Sequence, residues 1–346
     1  MKNIYQTINY QCLKPLNFEE NNPSFEVFEN YPNESCSSPK IELLKNVRVS
    51  TNSVVFNYFK IFKQSCITTE NYEKYQKGFR FFLKFIFPKF NFSRKNFVLI
   101  TDEWTNNYYH WHVFALQRLL ALKEKNLLQN ATLILPKNYL KYPFILPSLA
   151  RFGIDKNQIT FLPKKSNIKV SQLALVTQTE HHPEMLKQVR DTLLSKVEKT
   201  DFNFGEKIYI SREKQVLRFV ENEKEVVALL EKYGFKKIIA EHLSYEEQIS
   251  IFSKAKYLVA PHGAGITNVL FMQEGGSVLE MTTPQKPESF NRAFYPMISM
   301  LGLKYFYQQC AIGPNSRVRD HHQSSLVVDL ERLEKNLKLM LQCQTS

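Results

Sequence analysis

Residues Pro261 to Asn268 read Pro-His-Gly-Ala-Gly-Ile-Thr-Asn, after an apolar run at Lys256 to Ala260 and before another at Ser277 to Met281. A strand, a glycine-rich turn, a helix-like stretch and a strand in that order are how α/β proteins hold phosphates. Backbone N–H groups at a helix start face the ligand, and the aligned peptide dipoles add about half a positive charge there. Gly263 and Gly265 allow close backbone approach, Ala264 sits between them, His262 offers a donor, and Asn268 lies one turn into the helix. Upstream, Ser211-Arg212, Arg218 and Asn222-Glu223 fall between a strand end and a helix start, where forked arginine hydrogen bonds could neutralise a diphosphate. Glu280 ends the following strand and could accept bonds from vicinal ribose hydroxyls, as acidic residues do in nucleotide folds.

A second cluster, Asn107-Tyr108-Tyr109-His110-Trp111-His112, follows the first clear strand of the chain's α/β region. Open sheets place their ligands at that edge. His110 and His112, two apart on a helix, point to different faces and make a poor metal pair. One of them could act as a general base, because an imidazole titrates near neutrality.

The elements that must position these groups can be read from periodicity. From Asn96 onward, apolar runs at Phe97 to Ile100, Ala131 to Leu135 and Ile159 to Leu162 alternate with helical patterns at about Tyr109 to Glu124 and Pro143 to Phe152. Short buried strands between helices imply a parallel sheet. A helix near Glu184 to Val197 leads into a polar segment, Glu198 to Phe204, suited to an interdomain linker. The second half repeats the alternation: a strand at Lys207 to Ser211, a helix with Asn222 as N-cap ending at Gly234, a strand at Lys236 to Glu241, and a capping box, Ser244 to Glu247. The expected organisation is an N-terminal aromatic and basic region (1–95) packing on the first domain, two α/β domains (96–200 and 201–310) facing a cleft, and a C-terminal helical tail (311–346).

The aromatics of the first region, Phe79 to Pro88, alternate with Lys77, Arg80, Lys84 and Lys89. They read as a packing arm, or as a surface for a lipid-linked or membrane-bound acceptor. A chain of 346 residues suits two domains, and its net charge of +13 attracts nucleotide diphosphates, anionic headgroups or nucleic acid without choosing among them. No recognised nucleic-acid motif is present, so specific nucleic-acid binding is not expected. There is no signal-like apolar segment at the N-terminus and no stretch long enough to span a membrane. Five dispersed cysteines, an odd number with no C-x-x-C pair, fit a reduced cytoplasm.

The run from Ser211 to Met281 resembles the conserved half of glycosyltransferase family 61. The matching pieces are SRxxxxxRxxxNE from Ser211 to Glu223, LSxxEQ from Leu243 to Gln248, PHGAGxTNxxFM from Pro261 to Met272 and VLEM from Val278 to Met281. The upstream NYYHW is similar to the family's N-terminal-domain signature, with His112 where an apolar residue commonly follows. The resemblance implies the GT-B architecture, two Rossmann-like domains, and inverting transfer of a sugar from a nucleotide-sugar donor, UDP-linked, to a hydroxyl of a glycan, lipid-linked glycan or protein acceptor. It implies a cytoplasmic enzyme of bacterial surface polysaccharide or glycoconjugate synthesis, peripheral at the inner face of the membrane. It also implies a donor site of Arg212, Arg218, Asn222, Gln248, His262, Gly263, Ala264, Gly265, Asn268 and Glu280. His110 is the first choice for the base, with Asp102, Glu103 and His112 as substitutes. No cofactor or metal is expected, and no Asp-x-Asp occurs in the sequence. The rival reading is a non-catalytic nucleotide-sugar or polysaccharide-binding protein.

Overall fold

The computed structural model describes residues 6–29, 31, 33–37, 39–58, 60–84, 89–90, 96–177, 180–195, 204–287, 290, 293–316 and 323–343. The chain divides into two compact units: Met1–Ile8 with Cys36–Ser195, and Asn9–Ser35 with Lys196–Ser346. Most of the polar linker expected at Glu198 to Phe204 lies outside the described residues.

The first unit is built on an eight-stranded mixed sheet of β1 (Ile41–Ser50), β2 (Val55–Asn57), β3 (Lys60–Ile61), β4 (Lys89–Phe90), β5 (Asn96–Leu99), β6 (Ala131–Pro136), β7 (Ile159–Leu162) and β8 (Asn167–Val176). Its order is β3-β2-β1-β8-β5-β6-β7, with β4 also against β8. The strands β8, β5, β6 and β7 run parallel, as short apolar segments between helices should. The direction in which successive strands are added reverses between β5 and β8, which leaves a crevice at the carboxyl ends.

Within residues 1–95, expected as a region packing on this domain, β1, β2 and β3 extend its sheet in antiparallel fashion. Val47 and Val49 alternate into the core with Val55, Phe97, Leu99 and Leu173. At Asn46 the backbone turns left-handed (φ 51°), and opposite it, at Ser171, the pairing between β1 and β8 lapses. Phe81 and Phe82 pack on Phe56 at centroid distances of 5.6 and 6.3 Å, so these two aromatics of the basic stretch belong to the core. Phe85 to Pro88 lie outside the described residues.

The second unit carries a five-stranded, wholly parallel sheet of β9 (Lys207–Ile210), β10 (Lys236–Ile238), β11 (Tyr257–Pro261), β12 (Ser277–Thr282) and β13 (Lys304–Gln309). The order β10-β9-β11-β12-β13 is 2-1-3-4-5 in chain order, so its switch point falls between β9 and β11. Both β11 and β12 are buried along their whole length. The helix Tyr245–Lys254 begins with the expected capping box: Ser244 Oγ accepts from the Glu247 N–H at 3.2 Å, and Glu247 Oε2 accepts from the Ser244 N–H at 2.7 Å. The tail helix Leu330–Gln342 buries Leu333, Leu337 and Met340 against Leu279 and Phe306.

Residues 9–29 close the exposed edge of β13. The Leu16 N–H donates to the Tyr305 carbonyl at 2.8 Å, and the Asn17 amide brackets the Tyr307 backbone, donating to its carbonyl at 2.8 Å and accepting from its N–H at 3.0 Å. Phe28, 1 % exposed, packs edge-on against Tyr295, Tyr305 and Tyr307. Phe28→Ala is expected to destabilise the second unit by about 3–5 kcal/mol, read as a lowered urea midpoint at unchanged slope.

Candidate functional site

The switch point of the second sheet brings two loops together. After β9 the Ser211 N–H donates to the Ile238 carbonyl at 2.8 Å, and after β11 the His262 N–H donates to the Met281 carbonyl at 2.8 Å. Arg212 and Gly263 therefore leave adjacent strands at one level. Gly263 has an extended backbone (φ 163°) that any residue could adopt, so its requirement is space. A Cβ there would lie 2.9 Å from Arg212 Cζ and overlap a guanidinium nitrogen. A Cβ on Gly265 would meet Ile210 Cγ2 at 3.2 Å. The helix expected after the turn is a 3₁₀ helix, Ala264–Phe271, whose Ile266 N–H donates to the Gly263 carbonyl at 2.9 Å.

Arg212 is held by one hydrogen bond, from Nη2 to the Leu217 carbonyl at 3.1 Å, and its Nε is buried without a hydrogen-bond partner. Among the described residues no carboxylate forms an ion pair with it. Burial, and then the neighbouring charge of Arg218, push its pKa down to about 10, which leaves it protonated at neutral pH. Arg218 itself has a left-handed backbone (φ 56°), uncommon for a side chain of its size and the kind of strain that concentrates at functional sites. The charge of Arg218 acts unfavourably on Arg212, and a multiply charged anion bound to both would relieve that repulsion.

His262 is fixed by a buried chain of polar groups. Its Nδ1 contacts Glu280 Oε1, and the Tyr305 hydroxyl donates to Glu280 Oε2 at 2.7 Å. Glu280 is 4 % exposed with both oxygens engaged, so it orients His262 where the sequence pattern predicts a ribose ligand. No motif marks Tyr305; its signal is the run of three aromatics, Tyr305 to Tyr307, in β13. Three other residues expected on the nucleotide also brace the fold. The Asn222 amide donates to the Val328 carbonyl and accepts from the Val328 N–H, both at 2.9 Å. Asn268, fully buried, donates to the Gly265 carbonyl at 3.0 Å and to Gln248 Oε1 at 3.3 Å, and Gln248 donates to the Leu243 carbonyl at 3.2 Å.

In the first unit, the carboxyl end of β5 leads to Asp102. Its Oδ2 pairs with Arg118 Nη2 at 2.6 Å, both side chains buried, while Oδ1 accepts from the N–H groups of Trp104 and Thr105 at 2.9 and 3.1 Å. So engaged, Asp102 is a structural knot and is removed from the candidate bases. His112 is also removed: it is fully buried, packs on Tyr108 at 4.2 Å and donates from Nδ1 to the Tyr108 carbonyl at 2.8 Å. Burial pushes its pKa down to about 4.

His110 stands apart from these. It is half-buried among Trp104, Tyr109 and Phe114 at 5.2 to 5.6 Å, with Nδ1 lacking a hydrogen-bond partner. Burial lowers its pKa, Asp102 partly offsets this, and Arg118 adds to it, so the ring is neutral near pH 7 and able to take a proton. A π turn, Trp111–Ala115, follows it and re-phases the helix that continues at Leu116–Glu124.

Residues 108–279 match the family model described as Glycosyltransferase 61. The matched stretch begins at the helical turn bearing His110 and ends one residue before Glu280. It supports assignment to glycosyltransferase family 61 and, with it, glycosyltransferase activity in general. No curated protein matches the chain.

Two measurements check this geometry. Gly263→Ala is expected to displace Arg212 and weaken inorganic pyrophosphate binding by about tenfold or more in calorimetry, with thermal stability little changed. His112, depressed from 6.5 to about 4, binds its proton more readily in the unfolded chain. Its contribution is full above about pH 6.5 and is lost as pH falls towards 4, by up to ~3 kcal/mol, so unfolding free energies at pH 7 and pH 4.5 should differ in that direction.

Proposed function

We propose that this chain, which carries a glycosyltransferase family 61 match across residues 108–279, is an inverting glycosyltransferase. It moves a sugar from a nucleotide-sugar, UDP-linked, to a hydroxyl of a glycan, lipid-linked glycan or protein, in bacterial surface polysaccharide or glycoconjugate synthesis. The observation that carries the reading is Arg212 lying on the bare backbone of Gly263, within the field of Arg218, at the switch point of a parallel sheet and in no ion pair among the described residues, with Glu241 acting on it only through space. This is the second unit's provision for a diphosphate.

In this mechanism the donor diphosphate sits against Arg212, Arg218 and the turn from His262 to Gly265. As the bond from the anomeric carbon to the phosphate oxygen breaks, its electron pair stays on the diphosphate. The two guanidiniums then bind the leaving group more strongly than the intact donor, which is what lowers the barrier. They supply the charge without a metal. Glu280 and Tyr305 keep His262 oriented towards the turn. His110 in the first unit takes the proton of the acceptor hydroxyl as its oxygen forms the new bond from the opposite face, which inverts the anomeric centre. No helix among the described residues is long and apolar enough to cross a membrane, and we place the enzyme in the cytoplasm, peripheral at the inner membrane face.

A panel of UDP-sugars with released UDP as readout tests the activity: release with acceptor present is expected, and binding without release would favour the non-catalytic reading. Arg212→Ala should cut turnover by about a hundredfold or more with the fold intact, and activity surviving within about threefold would reject the phosphate assignment. His110→Ala should keep donor affinity and lose transfer. Retained transfer would move the base to Glu103, whose pKa burial raises and whose buried Oε1 keeps acceptor capacity.

A further inference from the structure

We propose that a cavity confined to the first unit is the acceptor subsite and that it takes a saccharide bearing a negative charge, a carboxylate or a phosphate. This rests on the transferase reading above. The cavity, of about 710 Å³, lies between the Thr51–Ser53 turn and the loops that follow β5, β6 and β7. The turn is fastened on both sides. Ser53 Oγ and Thr101 Oγ1 share a hydrogen bond of 2.6 Å, and Thr51 Oγ1 lies 2.7 Å from the carbonyl oxygens of Pro163 and Ser166. On the opposite wall, Tyr139 shares a hydrogen bond of 3.0 Å with Thr105. A cavity of this size falls in the range of small-ligand sites and admits one or two sugar rings.

Its charge chooses the ligand. Lys137, Lys141 and Lys164 line it, all exposed, and among the described residues none of them forms an ion pair with a carboxylate. Two acids share the lining. Asp102 is paired with Arg118, which leaves three lysines against the single carboxylate of Glu103. The field over the opening is therefore positive, and an anionic ligand is drawn to it.

The floor suits a sugar. Glu103 Oε2 accepts from the Ile67 N–H at 3.1 Å, the Tyr75 hydroxyl faces the same carboxyl, and the buried Oε1 keeps acceptor capacity that a ligand hydroxyl can use. The exposed amides of Asn52, Asn106 and Asn138 offer both donors and acceptors to further hydroxyls. The acidic group then rests among the lysines, with a hydroxyl at Glu103.

Methyl glucuronide, glucose 6-phosphate and methyl glucoside can be titrated into the full chain by calorimetry with UDP at saturation, which occupies the anion site of the second unit. One acidic probe should bind about tenfold or more tighter than the neutral one, and which of the two does so names the carboxylate or the phosphate. Lys137→Gln/Lys164→Gln should weaken that probe about tenfold with UDP affinity and thermal stability unchanged, and Lys137→Arg/Lys164→Arg should restore it. Equal binding of the neutral probe, or undiminished acidic-probe binding in the glutamine variant, overturns the subsite. If UDP itself fails to bind, the transferase reading falls and takes the subsite with it. If UDP binds and the acidic probes do not, only the subsite falls.

Discussion

A guanidinium resting on a backbone that has no Cβ is the constraint on which the second unit is organised. Arg212 can lie there only because Gly263 leaves the volume, and Gly263 is beside it only because β9 and β11 are adjacent in the sheet. That adjacency is what the 2-1-3-4-5 strand order provides. Burying a cation with a single hydrogen bond to a carbonyl is costly, and the surrounding fold must supply that stability. The fully buried strands β11 and β12 and the tail helix behind them do so.

The same division between a supported site and its support recurs around polar residues that look reactive from their type alone. Asp102 and Arg118 form a buried pair whose breaking would leave one charge stranded, at a cost of about 3–5 kcal/mol. Their yield is a rigid carboxyl end of β5, beside which His110 keeps a nitrogen without a partner. Glu280 serves His262 in the same way. In each unit a buried carboxylate, engaged at both oxygens, stiffens the surroundings of a histidine.

Much of this was legible in the amino-acid sequence where the signal was local. The glycine turn, the arginines at a strand end, the capping box at Ser244 and the parallel strands after Asn96 all depend on neighbours in the chain. What could not be read was where each side chain spends its hydrogen bonds. Asn222, Asn268, Gln248 and Glu280 carry the right chemistry for a nucleotide, yet their partners are the loop before the tail helix, a turn carbonyl, the carbonyl of Leu243 and an imidazole. His112 reads like His110 in sequence, and only burial separates them. The strand Ile41–Ser50 leaves no regular alternation in the sequence, because Asn46 interrupts it with a left-handed residue.

The closure of β13 by residues 9–29 ties together parts of the chain that are 290 residues apart at Asn17 and Tyr307. Leu16 pairs with Tyr305 and Asn17 with Tyr307, so this edge is completed only when two distant segments meet. Until then Phe25 and Phe28 have no core to enter, and contacts this distant in the chain form slowly. In a chain lacking its first thirty or so residues, the apolar strand Lys304–Gln309 would present an open row of backbone donors and acceptors to its neighbours. Residues 9–29 thus act as a guard in cis for β13, protecting that edge from other copies of the chain.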